Sequence, residues 1–235
     1  MKKLSLIFVF LMTSFGFGLN AQNLDEIVSK HIEAIGGKAN WDKIKTLRYE
    51  STMKAQGADI KFTVVIIDDK AMRSDIAVMG MNGFSILNTK EGWNYMPWAG
   101  QTKSEAMTPD DVKNAQDELS IKDEFLTYRQ LGKTLEYYGM DDIDGTECFK
   151  LKMTDKEGKE TTFYIDPSNY LVIKKTEKIK ANGQENESST FYSDYKTLPE
   201  GIVYPMSTFS GWQELTTTKV EINPLVDESI FKPGK

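Results

Sequence analysis

Side chains able to do chemistry are few in this sequence, and their spacing builds little. His31 is the only histidine and Cys148 the only cysteine. One of each, far apart in the chain, cannot supply the several nitrogen and sulfur ligands that zinc takes, nor a cysteine–histidine pair. His31 lies between Val28 and Ile32 on a helical pattern and is expected at a surface or boundary. Cys148 lies in an alternating stretch, Glu147-Cys148-Phe149-Lys150-Leu151, and reads as a small strand residue without a disulfide partner. The run from Met140 to Gly145 has the look of a calcium loop. It places Met140 and Leu151 where such a loop needs an acidic residue, so it reads as a turn. There is no G-x-S-x-G elbow and no glycine-rich phosphate cradle. Carboxylates are plentiful, but no spacing selects two of them as acid and base. The expectation is a protein that is not an enzyme and uses no metal and no cofactor.

What the residues could do instead is hold something apolar. Met53, Met72, Met79, Met81, Met96, Met107, Met140, Met153 and Met206 offer flexible thioethers suited to a variable ligand or to irregular core gaps. Trp93, Tyr95 and Trp98 form an aromatic strand closed at Pro97, directly before a change of pattern, and are the stronger pocket candidates. Trp212 is a weaker one.

The elements that would position these groups follow from periodicity. After Pro97 two short amphipathic helices are expected. The first has Thr108 as N-cap, Pro109 in its first turn, Asp110 and Asp111 at its positive end, and Val112, Ala115 and Leu119 on one face. The second has Ser120 as N-cap with Asp123 three residues on, and Ile121, Phe125 and Tyr128 on one face. An earlier helix carries Leu24, Ile27, Val28, Ile32 and Ile35 and stops at Gly36-Gly37. The rest reads as strands. Residues 46–56, 60–67, 72–78 and 84–87 precede the helix pair. Residues 134–140, 146–154, 160–165, 171–179, 189–196, 204–209 and 217–222 follow it, joined by short turns rich in Asp, Asn, Gly and Pro. The strand at 60–67 is apolar on both faces, with Phe62, Val64 and Ile66 on one and Val65 and Ile67 on the other, so it needs cover on both sides. Sequential hairpins imply an up-and-down antiparallel sheet, and an interrupting helix pair must bury its apolar faces against it.

Lys2 and Lys3, an apolar run over residues 4–11, and Leu19-Asn20-Ala21 read as a signal peptide cleaved after Ala21. The expected organisation is therefore a signal at 1–21 and one domain at 22–235. No cysteine stands at the cleavage point to carry lipid, and no second long apolar stretch follows. The expectation is thus a soluble, exported protein. The net charge of −6 becomes more negative once the two signal lysines are removed. That balance argues against nucleic acid, which wants a basic stripe, and against long-range attraction to an anionic membrane.

Several segments resemble the LolA family of periplasmic lipoprotein carriers. They are Lys70-Ala71-Met72-Arg73; the strand Thr89-Lys90-Glu91-Gly92-Trp93-Asn94-Tyr95-Met96-Pro97; Tyr164-Ile165-Asp166-Pro167-Ser168-Asn169-Tyr170; Phe191-Tyr192-Ser193-Asp194-Tyr195; and a close at Asn223-Pro224 through Phe231-Lys232-Pro233. The resemblance implies a mainly β, α+β fold: an incomplete antiparallel up-and-down barrel of about eleven strands, with an N-terminal helix and a helical lid over an apolar cavity. It implies a soluble periplasmic monomer that carries the acyl chains of a lipoprotein, or another hydrophobic ligand, toward the outer membrane. An inner-membrane export complex and an outer-membrane acceptor would be its partners. The alternative on the same fold is a lipid-sensing module that regulates a protein partner, which usually brings a second domain. Under the carrier reading the ligand would meet Phe62, Val64, Met72, Trp93, Tyr95, Trp98, Val112, Leu119 and Phe125. The family's strand arginine, which holds the lid shut, would be Arg73, although its local spacing departs from the family's.

Overall fold

The computed structural model describes residues 16–55, 57–181, 184–211 and 213–233. Most of the expected signal, the centre of the turn at Asn182-Gly183, and Trp212 lie outside the described residues. Helix α1 (Gly16–Ala34) ends where Gly36 and Gly37 take positive φ, and the Gly37 amide donates to the Ile32 carbonyl at 2.8 Å. A Cβ at Gly36 would sit 2.1 Å from the Gly201 carbonyl oxygen, so the helix end is pressed against a neighbouring turn that leaves no room for a side chain. A short helix α2 (Lys38–Trp41) follows.

The chain then forms β1 (Thr46–Ala55), β2 (Ala58–Ile67), β3 (Ala71–Val78), β4 (Met81–Asn88), β5 (Gly92–Tyr95) and the two-residue β6 (Glu105–Ala106). Helices α3 (Pro109–Asn114) and α4 (Glu124–Thr127), separated by a 3-10 turn over Gln116–Leu119, interrupt the strands. The meander resumes as β7 (Thr134–Ile143), β8 (Thr146–Thr154), β9 (Glu160–Ile165), β10 (Val172–Ala181), β11 (Gln184–Thr197), β12 (Val203–Ser210) and β13 (Gln213–Ile222). These strands make one antiparallel sheet in the order β6-β5-β4-β3-β2-β1-β13-β12-β11-β10-β9-β8-β7. It is an incomplete barrel, open between β6 and β7, and the helical insertion connects those two free edges.

Among the described residues thirteen strands form where about eleven were expected. β6 is too short to leave a periodic signature. β11 begins at Gln184 rather than 189, because Glu185, Asn186, Glu187 and Ser188 carry no apolar alternation although their backbones pair with β10. The turn at Asp144-Gly145 has positive φ at both residues, 51° and 87°, as a two-residue hairpin of matching twist requires.

Three apolar clusters hold the fold. One joins Leu47, Val64, Ile66, Met72 and Leu87 of β1–β4 to Val112, Leu119, Ile121 and Leu126 of the lid. A second joins Ile27 and Val28 of α1 and Phe125 of α4 to Leu151, Met153, Phe163 and Ile165 of β8 and β9. The third lies on the outer face of β2–β4, where Val65, Ala71 and Ile86 are covered by Phe231 from the C-terminal 3-10 turn Glu228–Phe231. The two-faced apolar strand β2 thus has its cover on both sides, from lid and C-terminus.

Candidate functional site

Register decides what faces the hollow. In β2 to β4 the partners Ile66, Met72 and Leu87 point inward to the lid, so Val65, Arg73 and Ile86 point outward. The lid sits on the inward set. Thr108 caps α3, with its hydroxyl accepting from the Asp111 amide at 3.1 Å and donating to the Asp111 carboxylate at 2.7 Å. Val112 and Leu119 are 7% and 2% exposed against the sheet. The N-cap of α4 is Asp123, not Ser120: the Asp123 carboxylate accepts from the Phe125 amide at 2.9 Å. Ser120 instead ends the preceding 3-10 turn in an extended conformation.

Polar contacts fasten this lid on both sides. At the β2–β3 turn, the Asp68 carboxylate accepts from the Ile121 amide at 3.1 Å and pairs with Lys122 at 2.8 Å, while the Asp69 amide donates to the Leu119 carbonyl. At the far side, Lys175 of β10 donates to Glu124 of α4 at 2.6 Å and lies 3.4 Å from Glu177. Burial acts to lower the Lys175 pKa, but the Glu124 and Glu177 carboxylates outweigh it and raise it, so the ammonium stays charged.

Beneath the far side lies a cavity of about 640 Å³. Its apolar lining includes Ile35, Trp41, Ile121, Phe163, Val172 and Val203, and its polar lining includes His31, Asp123, Glu124, Lys175, Tyr192 and Tyr195. Burial raises the pKa of the Tyr192, Tyr195 and Tyr204 phenols along this wall, and the Tyr195 hydroxyl donates to the Val172 carbonyl at 2.7 Å. A second recess of about 880 Å³ adjoins it, sharing Asn114, Asp117, Leu131, Lys133 and Lys159. The size suits one drug-sized molecule or a single chain.

None of the residues expected to meet a ligand lines this cavity. Val64, Met72, Val112 and Leu119 pack on one another in the first cluster, and Phe125 is buried in the second. Phe62 is half-buried on the inward face, and Trp98 lies over Gly83 on that face. Trp93 and Tyr95 belong to the outer face, which corrects the expectation that they line the hollow. Trp93 packs on the cluster around Ile86, and Tyr95 on the Phe84 ring at 5.8 Å.

Arg73 is also corrected. It donates to Asp75 at 2.6 Å and to the Ile230 carbonyl at 2.8 Å, with its guanidinium over the Phe84 ring at 4.8 Å. It ties down the C-terminal turn, on the face away from the lid, because one step along a strand reverses the side-chain direction. His31 is not a surface residue either, being 1% exposed. The signals that could have pointed to the actual fasteners were Asp68-Asp69 ending the most apolar strand and Lys175 in a strand facing the lid. Among the described residues no group of three or more His, Cys, Asp or Glu could hold a metal, and no helix is long and apolar enough to cross a membrane.

No protein-family model and no curated protein matches the chain. Solved structures match over nearly its whole length. A LolA superfamily protein from Nitrosomonas europaea is 11% identical, with 88% of this chain and 96% of that one covered and a TM-score of 0.58. A putative outer membrane lipoprotein-sorting protein domain from Vibrio parahaemolyticus is 13% identical, covering 88% and 94%, with a TM-score of 0.53. A DUF1329 family protein from Desulfovibrio piger is 11% identical, covering 88% and 96%, with a TM-score of 0.54. The fold is therefore LolA-like: an open antiparallel half-barrel with a small helical lid.

Proposed function

We propose that this protein is an exported carrier for an acylated molecule, seated against the inward face of β1–β4 when the lid lifts. The observation that carries the reading is the lid itself, a helical insertion that joins the two free edges and fills an apolar wall with its own side chains. Val64 and Met72 on the wall, and Val112 and Leu119 on the lid, are then the surfaces a chain would meet, whereas Phe125 packs against α1, β8 and β9, away from this wall. Phe62 and Trp98 lie beyond the packed region on the same face, where the chain would continue.

Magnitudes favour exchange. Four lid side chains buried against this wall (Val112, Leu119, Ile121 and Leu126) are worth roughly 1.5–3 kcal/mol each, on the order of ten together as an upper bound. An acyl chain of a dozen or so methylenes at about 0.8 kcal/mol each is worth a similar amount. Lid and chain thus compete for the same wall on nearly equal terms, which permits loading and release. The cavity beside the lid gives a chain end its first space without any lid movement.

Export fits the layout of α1. Among the described side chains of α1, the buried ones, Ile27, Val28 and His31, follow the proposed cleavage after Ala21, so removing residues 1–21 costs the fold none of these contacts. The LolA-like fold supports a periplasmic setting and a lipoprotein or similar acylated cargo.

Mass spectrometry of organic extracts from the purified protein tests the proposal. Co-purified fatty acid, lipid or acylated peptide, displaced by a hydrophobic dye, is the expected result. Protein that is repeatedly empty and binds no dye contradicts it.

A further inference from the structure

His31 has one ring nitrogen committed and the other poised. Its Nδ1 lies 2.7 Å from the Tyr170 carbonyl oxygen, which can only accept, so Nδ1 carries a proton. In the neutral ring Nε2 is then a bare acceptor. It is buried, has no hydrogen bond among the described residues, and faces the Asp123 carboxylate at 3.4 Å. Two acceptors facing each other, one of them on a ring that is 1% exposed, repel. Proton uptake at Nε2 converts that contact into a charge-assisted hydrogen bond, whose usual length of about 2.7–2.9 Å requires only a small approach.

The two partners belong to different parts of the molecule. His31 is on α1, which Ile27 and Val28 anchor to Leu151 and Phe163 in the sheet. Asp123 caps α4 of the lid, and the next lid residue but one, Phe125, sets its ring against the imidazole at 4.7 Å. The other charges nearby are engaged elsewhere. Lys30 pairs with Glu26 and donates to the Tyr170 hydroxyl, Glu124 pairs with Lys175, and Lys175 also faces Glu177. The Tyr192 and Tyr195 phenols of β11 face Asp123 and stay neutral, their pKa values raised by burial.

We propose that His31 and Asp123 form a pH-sensitive clasp that draws lid helix α4 onto α1 when the imidazole is protonated and slackens it when the imidazole is neutral. Burial pushes the His31 pKa down, but the Asp123 carboxylate and the Tyr170 carbonyl outweigh it and leave it raised. The clasp is therefore fully made below the ordinary histidine value of about 6.5 and is lost as pH rises through the higher folded value. Mild acid holds the lid shut and mild alkali frees it. The contact between His31 and Asp123 stands on geometry and is independent of cargo; its bearing on cargo rests on the carrier reading.

With a single histidine in the sequence, the imidazole Cε1–H proton gives one isolated NMR resonance to titrate. Its midpoint should lie above the ordinary value in the wild type. Asp123→Asn preserves a good helix cap, so the fold survives while the charge is gone. In that variant burial dominates and the midpoint should fall below the ordinary value. Protection of the α4 amides, normalised to unstructured rates, should drop about tenfold across the wild-type midpoint and stay flat in Asp123→Asn. A wild-type midpoint at or below the ordinary value, an unmoved midpoint in the variant, or α4 protection indifferent to pH overturns the clasp. Binding of 1-anilinonaphthalene-8-sulfonate, followed in the same samples, separates the two ideas. Dye that binds at no pH sinks the carrier and leaves the clasp standing.

Discussion

The two sides of the hollow differ in kind. Against β1–β4 the lid is packed side chain on side chain, and those strands give no residue to the wall of the 640 Å³ cavity. Against β9–β12 the same lid spans a cavity faced with phenols, an imidazole and the Lys175–Glu124–Glu177 ion cluster. The difference teaches that apolar periodicity and empty space need not coincide. The apolar strands were complementary to the lid and are filled by it, whereas space remains where side chains are too polar or too awkward to close on one another.

The largest test of that contrast lies in the cores. Leu151→Ala removes a side chain that is 0% exposed in the α1–β8–β9 cluster, and should cost about 2–5 kcal/mol of global stability in chemical denaturation. Leu119→Ala, at 2% exposed in the lid, should cost clearly less globally but should raise hydrophobic-dye binding. Equal global losses with no gain in dye binding would make the lid an ordinary piece of core.

Next in size is the ion pair beneath the lid. Lys175→Met leaves Glu124 without its 2.6 Å partner in a partly buried position, and should destabilise the closed lid by about 1–3 kcal/mol. Adding Glu124→Leu should recover most of that loss. Additive losses in the double variant would show that Lys175 and Glu124 do not act together.

Arg73→Leu sharpens the comparison from the outer face. It should loosen the C-terminal turn, at a cost of about 1 kcal/mol, and leave the rate of ligand release unchanged. Faster release would return Arg73 to the lid. The smallest effect is spectroscopic. Among single-tryptophan variants, Trp41, which borders the cavity and is 5% exposed, should change emission on binding an acyl probe, and Trp93 on the outer face should not.

Much of the fold was legible because its determinants are local. The alternation of β8, the glycine stop after α1 and the Thr108-Pro109 start of α3 each specify their element within a few residues. Side-chain direction was legible in β2, whose two apolar faces predicted cover on both sides. Arg73 shows where local reading fails. The Lys70-Ala71-Met72-Arg73 segment was matched by type, and the face that Arg73 takes follows only from its pairing with Val65 and Ile86. The start of α4 was placed too early, at Ser120, because the Asp68 carboxylate that holds the Ile121 amide is distant in sequence and leaves Asp123 to cap the helix. The resemblance implied a cavity under the lid, but its place and its lining were not legible. It is a gap among α1, the lid and β9–β12, segments far apart in the chain, and no run of residues encodes an absence.

In the proposed carrier, cargo and lid compete for one apolar wall. Hydrogen exchange measured with and without a saturating N-dodecanoyl peptide tests this directly. The amides of residues 112–128 should exchange about tenfold faster in the bound state while those of β8 and β9 keep their protection. Bound peptide with undiminished lid protection, or no binding of the peptide at all, would contradict it.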